Sequence, residues 1–77
     1  MMYLNSAVAH EVSAELERQG MKPKVLTFWL RVSDKKAVAL CNGQSVWTVA
    51  DLGLVSEGMG VDLGKMLSRC ASRLKSE

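Results

Sequence analysis

The sequence predicts a single α+β domain, with the element order α-β-β-β-α and two helices packed on one face of a three-stranded antiparallel sheet. Three observations lead there. An amphipathic helical stripe stands near each end of the chain, an aromatic and β-branched run occupies 24–32, and an Asn42-Gly43 pair sits between two apolar stretches. A chain of 77 residues holds one domain, 1–77, and its core is thin.

The first element is a helix over 6–19. Leu4, Val8, Val12 and Leu16 recur every four residues, and Ala7 fills the stripe beside them. Asn5 or Ser6 supplies the N-terminal cap. Gly20 ends the helix and Pro23 prevents its resumption.

The run 24–32 reads as a strand. Period two places Leu26, Phe28, Leu30 and Val32 on one face, with Val25, Thr27, Trp29 and Arg31 on the other. A polar turn, 33–36, follows. Segments 37–41 and 44–49 read as a hairpin about Asn42-Gly43, because an Asn-Gly pair between apolar runs suits the positive φ angles of a two-residue turn. Cys41 then opposes Gln44, and Val38, Leu40, Trp47 and Val49 share a face. A three-residue first turn adds Leu26, Phe28, Leu30 and Val32 to that face, which becomes the core face, with Trp47 inside and Trp29 on the open side.

Segment 51–61 reads as a loop punctuated by Gly53, Gly58 and Gly60, with 52–56 a short edge strand at most. The last element is a helix over 62–75, capped by Asp62 and carrying the stripe Leu63, Met66, Leu67, Cys70 and Leu74.

Composition narrows the function. Apolar residues make up 48% of the chain and charged ones 23%, which is globular, and the net charge of +2 permits an acidic partner without demanding one. Cys41 and Cys70 are too few and too far apart for a disulfide framework, which implies a reducing compartment and free thiols. No segment is long and apolar enough to span a bilayer, and residues 1–5 lack the basic and apolar regions of a signal peptide, so a cytoplasmic location with no membrane partner is expected.

No catalytic constellation emerges. His10 is the single histidine, without metal-ligand spacing to Cys or carboxylates. Gly58-Met59-Gly60 lacks the lysine and hydroxyl residue of a phosphate loop. The chain is therefore expected to be no enzyme, to need no cofactor or metal, and to act on no small-molecule substrate.

Two surfaces remain. On the open sheet face, Val25, Trp29, Arg31, Ala39 and Val46 gather, and a Trp-Arg pair among small residues is the chemistry of a protein-binding hot spot. On the last helix, Lys65, Arg69 and Arg73 form one column at spacing four, suited to an anionic partner. The first surface favours direct protein–protein binding, with a homodimer as its simplest form, and a short chain bare of catalytic groups suits an inhibitor of the phage or mobile-element type. The second makes a nucleic-acid-binding module the alternative.

The order α-β-β-β-α is similar to that of double-stranded-RNA-binding domains. Their lysine-rich helix start is here Asp62-Leu63-Gly64-Lys65, and their Gly-Pro-x-His turn is here Ser33-Asp34-Lys35-Lys36, so the resemblance is one of architecture.

Overall fold

The structure is a computed structural model and describes residues 3–76. It is built from helices alone: α1 Leu4–Arg18, a 3-10 turn Pro23–Val25 running into α2 Leu26–Leu30, α3 Asp34–Cys41, α4 Val49–Met59 and α5 Leu63–Ser76. Among the described residues there is no strand, so the α+β class, the three-stranded sheet and the likeness to double-stranded-RNA-binding domains are all corrected. Met1 and Met2, part of the segment read for a signal peptide, lie outside the described residues.

The two terminal helices form as their stripes require. Ala7, Val8, Val12 and Leu16 of α1 and Met66 and Cys70 of α5 are buried in one shared core. Leu4 and Leu67, members of the same stripes, stay about half exposed.

The middle of the chain departs from expectation for identifiable reasons. In 24–32 the fully buried residue is Leu26, and Val25, Trp29 and Leu30 pack partly against the core while Phe28 is 76% exposed. Positions 25, 26, 29 and 30 make a helical face. The β-branched and aromatic composition suits a strand, but such propensities are weak beside tertiary packing.

Segment 34–41 is helical because Ser33 caps it, its hydroxyl accepting from Lys36 N at 3.1 Å, and because Ala37 and Leu40 fall on one inward face. The expected hairpin is a helix end. Gly43 has φ +77° but Asn42 has φ −87°, so only one of the two positive angles is present. Gln44 N donates to Ala39 O at 2.9 Å and Gly43 N to Leu40 O at 3.3 Å, the paired bonds of a glycine-terminated helix.

Segment 51–61 is helical as far as Met59, the end of α4, and Gly60 closes that helix with φ +70°. Leu52, Val55, Ser56 and Met59 are buried at spacings of three and four. Trp47 is buried as expected, but from the loop between α3 and α4 rather than from a strand. Both cysteines are free.

Candidate functional site

α2, the three residues Arg31-Val32-Ser33 and α3 form a helix-turn-helix unit. The turn is sharp because Arg31 takes a left-handed conformation, φ 55° and ψ 48°. Glycine would take it without strain, whereas an L side chain pays roughly 1–2 kcal/mol.

The rest of the molecule holds α3 firmly. Ala37 and Leu40 bury its inner side. At its C-terminal end, Trp47 Nε1 donates to Leu40 O at 2.9 Å and Ser13 Oγ to Cys41 O at 3.1 Å. Asn5 clamps the following loop: its Nδ2 donates to Ser45 O at 3.0 Å and its Oδ1 accepts from Trp47 N at 2.7 Å. The Ser13 bond satisfies a carbonyl at the helix end, and the Trp47 indole adds a second donor to Leu40 O beside Gly43 N. α3 is thereby fixed on α1 while its outer side stays open.

That outer side carries Asp34, Lys35, Lys36, Val38 and Asn42, all exposed, with Ala39 partly so. A shallow depression of about 440 Å³ runs along it, lined by Asp34, Lys35, Val38, Ala39 and Gln44.

Charge is unevenly distributed. Residues 22–36 contain five cations, Lys22, Lys24, Arg31, Lys35 and Lys36, against the single acid Asp34, in a chain whose net charge is only +2. All five are exposed, and among the described residues none of them pairs with a carboxylate.

The arginines of the last helix are differently placed. Arg69 Nη1 lies 3.2 Å from Glu15 Oε1, and Arg73 Nε lies 3.0 Å from Glu11 Oε1. Arg18 joins them, with Nη2 at 2.6 Å from Glu15 Oε1 and 3.2 Å from Glu11 Oε2. Glu11 and Glu15 are buried, so three arginines neutralise two carboxylates at the α1–α5 seam. The amide of Gln19, first, and then Arg18 hold the Glu15 carboxyl below its ordinary range. Of the expected column Lys65, Arg69 and Arg73, only Lys65 stands clear of this network.

The residues expected on an open sheet face share no such face. Val25 ends the 3-10 turn, Trp29 lies in α2 against Gly58 of α4, Arg31 forms the turn, Ala39 lies on α3 and Val46 in the loop beyond it. Arg31 and Ala39 do belong to the helix-turn-helix unit. Sequence reasoning passed over Lys22, Lys24, Lys35, Lys36 and Val38. The clustering of cations at 22–36 was the signal available, hidden by the near-neutral total.

Further concavities lie among the described residues. An apolar one of about 290 Å³ lies between Leu4, Val46, Trp47, Val49 and Leu67. A polar one of about 350 Å³ lies beside His10, Ser13 and Cys41, where burial pushes the Cys41 thiol above its ordinary pKa. Among the described residues no group of three or more His, Cys, Asp or Glu is placed to hold a metal, and no helix is long and apolar enough to cross a membrane.

The fold has a solved counterpart. The chain is similar to the clp gene regulator ClgR from C. glutamicum, with a TM-score of 0.84 over 95% of each chain at 19% sequence identity. No family model matches the chain, and no curated protein matches it. The likeness establishes a shared helical fold. It corrects the expected α+β class, and it lends no support to the inhibitor of the phage or mobile-element type expected from the chain's small size and lack of catalytic groups.

Proposed function

We propose that this chain is a DNA-binding domain that acts by binding rather than by catalysis, with α3 as the helix that enters the major groove of a duplex. One observation carries the reading: a rigidly held helix with an open outer side, flanked by five exposed cations free of carboxylate partners. In such units the second helix lies in the major groove with its N-terminal residues at the base edges, while the first crosses the backbone. Lys22 and Lys24 precede α2, Arg31 sits in the turn, and Lys35 and Lys36 open α3, positions suited to phosphate contacts on both sides of a groove. The similarity to ClgR, a clp gene regulator, supports the same reading.

This proposal keeps nucleic acid as the partner but places the contact on α3 rather than on the Lys65, Arg69 and Arg73 column. Two members of that column already serve Glu11 and Glu15. Direct protein binding loses the sheet face on which it was placed.

The test is the anisotropy of a labelled duplex of arbitrary sequence titrated with the chain between 50 mM and 200 mM salt. The logarithm of the binding constant is expected to fall linearly with the logarithm of salt concentration, by close to one slope unit per phosphate contacted. Absence of binding at low salt, or binding indifferent to salt, contradicts the proposal.

A further inference from the structure

We infer that α3 selects duplexes carrying a thymine opposite Val38 and Ala39, reading the thymine methyl group through an apolar contact. This rests on the DNA-binding proposal and adds its base preference.

The argument begins with what the outer side of α3 lacks. Its inner residues are Ala37 and Leu40, and the stripe facing away from them is Asp34, Lys35, Val38, Ala39 and Asn42. The middle of that stripe is apolar. Val38 is 49% exposed, and with Ala39 it supplies the apolar lining of the depression that Asp34, Lys35 and Gln44 also line. No core demand explains a valine there, since the buried cluster is complete without it.

In the major groove only thymine presents an apolar group at its edge, the C5 methyl. Adenine and guanine present acceptors and an amino or carbonyl group, and cytosine presents an amino donor. A valine pressed against any of those desolvates a polar atom without replacing its hydrogen bond, which is unfavourable. Against thymine the same contact buries two apolar groups together. Lys35, one turn before Ala39, then lies over the neighbouring base pair, where its ammonium suits acceptors such as those of guanine. The five cations of 22–36 supply the charge complementarity that brings this face to a polyanion.

The experiment uses 20-base-pair duplexes with randomised interiors, selected by the purified chain at low salt, then resynthesised with each thymine in turn replaced by deoxyuridine. That change removes one methyl group and leaves every hydrogen-bonding atom in place. One or two positions are expected to lose about fourfold in affinity, the equilibrium counterpart of about 0.8 kcal/mol for one buried methyl-sized group. The loss should disappear in Val38→Ser while other positions keep their preferences. Selected duplexes bound equally well with thymine or deoxyuridine at every position overturn the inference, and so do selected sequences without a shared thymine. The parent chain alone decides this, whatever the stability of the variant. Salt-dependent binding of unselected duplexes separates the two failures. If it is present with no deoxyuridine effect, the base preference falls alone; if it is absent, the DNA-binding proposal falls with it.

Discussion

Trp29 lies so close over Gly58 that a β-carbon at position 58 would sit 2.5 Å from Cδ2 and Cε2 of the indole. This contact joins α2 to α4 and sets how the helix-turn-helix unit rests on the rest of the chain. It also explains a glycine late in a helix, where it otherwise costs up to about 1 kcal/mol relative to alanine.

Two glycines of α4 should therefore respond oppositely to alanine. Gly58→Ala forces the indole aside and should destabilise the fold by about 1–3 kcal/mol, as overpacking does. A β-carbon at Gly53 meets nothing within 4 Å, so Gly53→Ala should stabilise by about 0.5–1 kcal/mol through helix propensity. Thermal unfolding of both variants checks this. A Gly58→Ala protein as stable as the parent would mean that Trp29 does not rest on α4.

The seam between α1 and α5 should make stability depend on acid. The carboxyl of Glu15 is held below its ordinary pKa of 4.5, chiefly by the Gln19 amide and then by Arg18. A depressed folded-state pKa contributes stability that is fully present above the unfolded value and is lost as pH falls through the folded one. Stability should thus be insensitive to this group above about pH 5 and decline progressively below the ordinary glutamate value. Glu15→Gln should flatten that acid decline and lower stability at pH 7 by up to about 1 kcal/mol, because Arg18 and Arg69, both about half exposed, each lose one of their two carboxylates and keep Glu11. Urea denaturation from pH 7 to pH 3 measures both effects. An unchanged acid slope in the variant would remove Glu15 from the account.

Arg31 should show a trade between stability and binding. Its left-handed backbone suits glycine, so Arg31→Gly should raise stability by about 1 kcal/mol. If the guanidinium serves a phosphate, the same change should weaken duplex binding and reduce the salt slope by about one unit. Melting temperature and duplex titration on one preparation give both numbers. A more stable variant that binds as well as the parent would leave Arg31 out of the interface.

The ends of the fold were legible in the sequence and the middle was not. The stripes of α1 and α5 are long enough for their period to decide the matter, and Val8, Val12, Leu16, Met66 and Cys70 are buried accordingly. α2 has only five residues and α3 eight, too short for period two and period 3.6 to separate cleanly. Ser33 before Asp34 was a cap signal read as part of a turn. Asn42-Gly43 was a true turn signal read in the wrong context, because glycine serves a helix end as well as a hairpin. The basic column of α5 was visible as a pattern, yet Glu11 and Glu15, more than fifty residues away in sequence, take up its arginines. Only the fold brings those charges together.

On the proposed function, α3 and its flanking cations, not α5, meet the duplex. That placement is tested most directly by charge reversal on each helix in turn: Lys35→Glu with Lys36→Glu on α3, and Lys65→Glu on α5, each titrated against the same labelled duplex at 50 mM salt. All three positions are exposed, and surface changes of this kind usually shift stability by no more than about 0.5 kcal/mol. The α3 variant is expected to lose tenfold or more in affinity, and Lys65→Glu to bind within about twofold of the parent. Duplex binding that survives reversal of Lys35 and Lys36 but collapses on reversal of Lys65 would contradict the account and return the interface to the last helix.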